Sequence, residues 1–364
     1  MNEWKEYKLG DAIKFGNGKV RPNSLGRIPV YGGNGILDFC NESNYEDETI
    51  IIGRVGAYCG AVYYESIPIW VSDNALAAKP KDKFHSKFLY YFLKNLELNQ
   101  FAEGSSHPLV TQTLLNSIDI YITDDLREQQ SIASILSSLD NKIDLLHRQN
   151  KTLEQLAETL FRQWFLEEVE DSWQEVKLST LGKIICGKTP SKNIAEYFGG
   201  DIPFIKIPDM HGNTFVFDSV DSLTEFGMAS QLNKTIPPKS ICVSCIATVG
   251  LIVMNAKTSQ TNQQINSIIP YKEDFRYFIY LKMLTMKDEL LAMASGGTAT
   301  DNLNTGDFSN IVITLPDENH LMDFHRIVEP IFDKIYKNQV QIRTLIQLRD
   351  TLLPKLMSGE VRVK

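Results

Sequence analysis

The chain states nearly one plan twice, and that repetition limits the folds open to it. Trp4-Lys5-Glu6-Tyr7-Lys8-Leu9 returns as Trp173-Gln174-Glu175-Val176-Lys177-Leu178, four of six residues identical at an offset of 169 (Trp4 to Trp173). A second echo holds a constant offset of 192 (Lys142 to Lys334). It carries Asp140-Asn141-Lys142-Ile143 onto Phe332-Asp333-Lys334-Ile335, and Gln149, Leu153, Leu156, Thr159 and Leu160 onto Gln341, Leu345, Leu348, Thr351 and Leu352. Solenoid repeats recur every ~20–50 residues, so a period this long marks a duplicated domain followed by a helix. Two copies of one module in one chain can address two similar targets.

The helical part of each copy is legible from its apolar spacing. Ile132, Leu136, Leu139, Ile143, Leu146, Asn150, Leu153, Ala157, Leu160 and Trp164 alternate steps of four and three, and so do Phe324, Val328, Ile331, Ile335, Asn338, Ile342, Leu345, Arg349, Leu352 and Leu356. This is a coiled-coil seam. Pro330 predicts a kink or a late start in the second helix, and Pro354 predicts fraying at its end. If the seams pack antiparallel with position i facing 488 − i, Asn150 meets Asn338. A buried polar pair of that kind fixes register at some cost in stability. A helix of this length spans roughly 50–60 Å, more than one turn of DNA at about 34 Å, so the pair predicts a ruler between two modules.

Before each helix lies a mixed segment. Thr49-Ile50-Ile51-Ile52-Gly53 is a β-branched run ended by glycine, a buried-strand signal, and Ser240 to Ser244 answers it in the second copy. Phe88-Leu89-Tyr90-Tyr91, at helical spacing, is answered by Phe278-Ile279-Tyr280-Leu281. The Gly104 to Pro108 loop is answered by Gly296 to Thr300, and the strand Ser117 to Ile122 by Asn310 to Pro316. The expected class is α+β: two similar modules, residues 1–124 and 169–316, separated by two long helices, 125–168 and 317–364, packed as an antiparallel coiled coil.

Several function classes are disfavoured. No apolar run approaches the ~18 residues of a membrane helix. The opening residues carry no basic stretch followed by an apolar one, and the five cysteines are not framework-spaced, which together predict a reduced, cytoplasmic protein. Gly182 to Thr189 matches the phosphate-loop pattern letter for letter. Yet Ile184-Ile185-Cys186 reads as a strand inside that loop, and Pro190 removes an N–H where a helix should begin. Cys242 and Cys245 lie three apart on a predicted strand, so they face opposite sides; core thiols are expected, with no second Cys or His pair to complete a zinc site. No Asn/Asp-Pro-Pro-aromatic tetrapeptide, dinucleotide fingerprint or nucleophile pairing stands out among the six histidines. No metal, cofactor or catalytic residue is expected.

The module opening and its repeat stand beside Gly187-Lys188-Thr189-Pro190-Ser191, Gly199-Gly200-Asp201-Ile202-Pro203, Arg127 to Leu136 and the ending Leu352 to Glu360. In this order, around two long helices, the chain resembles the specificity subunit of type I restriction-modification systems over essentially its whole length. The resemblance implies two target recognition domains, each reading one half of a split, asymmetric site on double-stranded DNA, with the helices setting the unread spacer. It implies docking of two methyltransferase (modification) subunits and, on that core, restriction/translocase subunits, with S-adenosylmethionine and ATP held by those partners and no membrane involved. The copies also differ. Glu128-Gln129 opens the first helix where the second has Asp317 to His320, and Arg349 aligns with Ala157, so partner docking at the two ends is not expected to be equivalent.

The net charge of −8 argues mildly against DNA binding by the chain alone. However, residues 125–170 hold nine Asp or Glu against five Lys or Arg, about half of the excess, which leaves each module near balance and free to carry a local basic face. Donors on loops are the candidates. In the first module these are Lys14, Asn17, Lys19, Arg21, Arg27 and Arg54, with Ser105, Ser106 and His107. In the second, Lys188, Lys192 and Lys206 suit phosphates. Gln260, Asn262, Gln263 and Gln264 form an amide cluster suited to adenine, whose counterpart is Ser72-Asp73-Asn74; Thr298, Thr300, Asn302 and Asn304 lie on the next loop. Two alternatives remain open: the specificity subunit of another bipartite restriction system, and a coiled-coil scaffold binding protein or glycan.

Overall fold

The structure is a computed structural model that describes residues 4–104, 108–295 and 301–363. The chain divides into two compact units, Met1–Leu145 with Arg343–Lys364, and Leu146–Ile342. The division falls within both long helices, so each unit holds one module and one stretch of each helix.

In the first unit the repeated opening motif is a strand, Trp4–Lys8, paired antiparallel with the module's last strand, Asp119–Thr123. Leu9 ends it as a fully buried anchor, its N–H donating to Ile118 O at 2.8 Å. Between these strands lies a four-stranded antiparallel sheet in the order Ile13–Asn17, Ala75–Pro80, Thr49–Gly53, Val62–Glu65. Beside it is a three-stranded sheet of Gly35–Cys40, Ile28–Gly32 and Trp70–Val71, the last two parallel. The run at 49–53 is β-branched because both of its faces are covered: Ile50 and Ile52 enter one apolar cluster and Ile51 another, as the two-residue period of a strand requires. The helix Ser86–Asn95 buries Phe88, Leu89, Tyr91, Phe92 and Leu93.

The second unit repeats the scheme. Gln174–Lys177 pairs with Val312–Leu315, Leu178 is fully buried, and its N–H donates to Ile311 O, again at 2.8 Å. The main sheet runs Gly182–Cys186, Ile265–Pro270, Ile241–Ser244, Ile252–Asn255, with Phe215–Val216 added at the edge. Phe198–Ile205 pairs in parallel with Gln260–Thr261, matching the parallel pair of the first unit. Cys242 and Cys245 are both buried, in different clusters, and burial pushes the thiols up to about 12 and about 11. The expectation of core thiols facing different sides is met, although Cys245 lies one residue past the end of the strand Ile241–Ser244.

The first long helix covers Leu126–Arg162 and closes with a π turn at Gln163–Glu167; the second covers Glu318–Met357. The second neither starts late nor ends at a proline. Pro330 lies on an exposed face, where water can satisfy the carbonyl it leaves free, and the helix runs three residues beyond Pro354. Within each unit the stretches pack antiparallel. In the second unit Asn338 Nδ2 donates to Asn150 Oδ1 at 2.8 Å, both residues buried, and Phe161 meets Phe324. In the first unit Arg349 Nη1 donates to Asp140 Oδ1 at 2.9 Å, and Ile132 and Leu136 share a core with Leu356 and Met357. The proposed asparagine register is the one observed.

Candidate nucleic-acid interface

One corner of each module is built from the same backbone hydrogen bonds. After the first strand of the sheet, Gly18 N–H donates to Ala75 O and Lys19 N–H to Val71 O; in the second module Gly187 donates to Ile265 O and Lys188 to Thr261 O, all at 2.9–3.2 Å. The glycine is required by close approach: a Cβ at Gly18 would stand 1.7 Å from Ser72 O, and one at Gly187 2.1 Å from Asn262 O. The shared Gly-Lys of the decoy phosphate loop is therefore a packing device that docks the strand's end on the 71–75 or 261–265 loop.

At the end of the central strand the match continues. Arg54 N–H donates to Asn74 O, and Cys245 N–H to Gln264 O. Val110 N–H reaches Arg54 O, and Leu303 N–H reaches Cys245 O. Gly56 N–H meets Pro108 O, and Ala247 N–H meets Asp301 O. Gly56 has φ +80° and Ala247 φ +65°, the left-handed turn that suits glycine and strains alanine. Three segments thus converge in each module, because the strand ends lie side by side in the sheet and the connections that follow them share one edge.

On this frame the sequence candidates separate. Asn17, Lys19 and Arg54 sit at the corner in the first module. Asn17 Oδ1 accepts from Gln112 Nε2 at 2.8 Å, so Gln112 belongs to the same group. Sequence reading missed it, although its place just after the cap residue Thr111, where the second module has Thr305 after Asn304, marks it. Lys14 lies toward the other end of its strand, opposite Lys79. Arg21 is engaged by Asp38, and Arg27 sits beside Ile28 at the open end of the 28–40 hairpin, away from its turn. Ser105, Ser106 and His107 lie outside the described residues.

In the second module Lys188 is exposed at the corner, with exposed Gln263 accepting from Thr189 Oγ1 at 2.8 Å. Gln264 is half-buried, and Asn302 is bridged to Ile246. Lys192, Thr189, Phe198 and Phe204 line a cavity of about 270 Å³ with Lys206, whose ammonium is paired with Asp221. Two of the four clustered amides are withdrawn. Gln260 is fully buried: its Nε2 donates to Met228 O, Gln231 O and Thr235 Oγ1, and its Oε1 accepts from Gln231 Nε2. Gln260 is a core amide, not a base reader, because the short parallel strand that carries it lies under the 228–235 segment. Asn262 is buried too and spends its side chain on Gln264. Gln231 also donates to Lys188 O at 2.6 Å, so this buried pair of glutamines braces the corner from below. Thr298 and Thr300 lie outside the described residues.

A paired, backbone-identical corner carrying different side chains is the arrangement expected of a protein that recognises two related targets, and comparison with known proteins places the chain. A family profile described as the type I restriction modification DNA specificity domain matches residues 1–155 and 170–347. The chain belongs to this family, the specificity subunits of type I restriction-modification systems. It is 32% identical to the type I restriction enzyme HindI specificity subunit of Haemophilus influenzae, over 99% of this chain and 100% of that protein. It is 27% identical to the MjaIX specificity subunit of Methanocaldococcus jannaschii, over 78% of this chain and 71% of that one. The fold matches the crystal structure of a type I restriction-modification S subunit from M. genitalium with a TM-score of 0.71 at 17% identity, covering 97% of this chain and 96% of that one.

Proposed function

We propose that the two corners are the DNA-reading surfaces of a type I specificity subunit, each module reading one half of a bipartite, asymmetric site. The observation that carries this reading is the duplicated frame. The same hydrogen bonds hold Lys19, Arg54 and Asn74 in one module and Lys188, Cys245 and Gln264 in the other, so one scaffold presents two different sets of donors. Lys19 and Lys188 serve phosphates, which position the protein; the Arg54 guanidinium and the Gln263 and Gln264 amides serve base edges, which carry sequence information. Residues 1–124 and 169–316 act as the recognition domains, and the helices set the unread gap. Their exposed faces, with Leu145 and Leu348 in one unit and Leu156 and Val340 in the other, dock two modification subunits, which restriction/translocase subunits join. Catalysis, with its S-adenosylmethionine and ATP, belongs to those partners. Among the described residues no helix is long and apolar enough to cross a membrane, in keeping with work on cytoplasmic DNA.

The acidic chain is expected to bind DNA weakly alone and well with its modification subunit. Titrating that complex with duplexes at several salt concentrations tests the reading. Affinity should fall steeply with salt, as counterion release requires, and one sequence should be preferred. Salt-independent binding, or tight binding to a glycan or peptide instead, would support the scaffold alternative.

A further inference from the structure

The corner of the first module contains an uncommitted arginine. Arg54 makes no side-chain hydrogen bond or ion pair with the described residues, and its Nε is buried without a partner. Leaving such a donor without a partner is unfavourable, and a ligand acceptor reaching the corner would relieve it. The backbone beneath it is held from both sides, by Asn74 O on its N–H and by the Val110 N–H on its carbonyl, and Cys59 Sγ also lies on that carbonyl at 3.2 Å. Gly53 adds close packing: a Cβ there would stand 2.5 Å from Gly33 O. The equivalent residue of the second module, Cys245, is 1% exposed in the core. An arginine rooted at such an interior position has to thread its stem outward. Its Nε is buried on the way while the residue as a whole stays partly exposed. The backbone that carries this side chain is thus fixed against the exposed Asp73-Asn74 loop.

We propose that Arg54 is the specificity-determining residue of the first module and reads a guanine through its O6 and N7 edge. The second module, with a buried thiol at this place, reads its half-site without an arginine there. The chemistry follows from the planar five-donor fork, which matches the two acceptors of guanine. This rests on the DNA-recognition reading above.

The test uses the full chain, co-expressed with its modification subunit, and maps methylated adenines across a genome for wild type, Arg54→Ala and Arg54→Lys. The wild type should methylate a split motif with a G·C pair in one half. In Arg54→Ala that one position should relax, with discrimination falling about 5- to 150-fold, while the other half-site and the gap stay unchanged. Those unchanged parts also report that the variant is folded. Arg54→Lys should keep a residual preference. A uniform loss across all sequences would make Arg54 a phosphate contact and overturn the assignment, as would an unaltered motif or a first half-site without a G·C pair. A wild type that methylates no split motif would overturn the DNA-reading premise itself, and this assignment with it.

Discussion

The two units share a backbone but hold their helix stretches together with different chemistry. In the first, the seam carries charge: Arg349 bonds Asp140, which also accepts from Tyr91 Oη at 2.7 Å. In the second, the positions 192 further on or back are Phe332 and Ala157, both buried, and Phe332 stacks on Tyr277 at 4.4 Å. The helix openings differ in the same way. Arg362 forks onto the 5%-exposed Glu128 with bonds of 2.5 and 3.0 Å. At the same offset the second unit has His320 facing Glu170 at 3.5 Å, the carboxylate now on the other segment and the contact longer. Beside Glu128, fully buried Gln129 accepts from His85 N–H and donates to Thr123 O and Lys83 O. A duplicated fold thus keeps its hydrogen-bonded frame, whose geometry leaves little freedom, and diverges in side-chain pairs that can be exchanged as sets.

The largest effect should come from breaking the frame itself. Gly18→Ala and Gly187→Ala each drive a Cβ into backbone carbonyl, and each should cost about 3 kcal/mol or more in thermal or urea unfolding. A large loss at one glycine and none at the other would show that the frame is not shared. Next is the charged seam. Arg349→Ala should cost about 2–3 kcal/mol because it strands Asp140 in a half-buried site. Asp140→Leu combined with Arg349→Ala, which makes the first unit resemble the second, should recover most of that. Failure of the double variant to recover would mean that the pair stabilises in its own right.

The asparagine layer comes third. Asn338→Ala should cost about 1–2 kcal/mol by leaving Asn150 buried and unpaired, whereas Asn150→Leu with Asn338→Leu should equal or exceed wild-type stability; calorimetry of both decides. The smallest effect is at the shared turn. Ala247→Gly should stabilise by about 0.5 kcal/mol by relieving positive φ, and Gly56→Ala should destabilise by about 1 kcal/mol. Equal responses at the two positions would contradict the likeness of the turns.

Much of this architecture was legible in the sequence because duplication and periodicity are properties of residue order. The duplicated module openings, the seams and the facing of Asn150 with Asn338 all follow from repetition and spacing, whereas the pairing of each opening as a strand with the module's last strand does not. The candidate interface was less legible. Asn17, Lys19, Arg54, Lys188 and Gln263 meet at corners, but Gln260 looks like its neighbours and is buried, because whether an amide on a two-residue strand points inward depends on what lies above it. Lys14 and Asn17 are close in sequence, yet lie toward opposite ends of one strand. The Arg362–Glu128 lock is hidden in the sequence because its partners are distant in the chain, although the 192 offset pairs them with Glu170 and His320.

The most direct test of two modules reading one divided site is to exchange them. A chain in which residues 13–117 are replaced by the corresponding module of a relative, co-expressed with the same modification subunit, is compared with wild type by genome-wide methyl-adenine mapping. The account predicts a split motif with one new half, one old half and the original gap. A motif that changes in both halves, a changed gap, or a single unsplit motif in the wild type would contradict it.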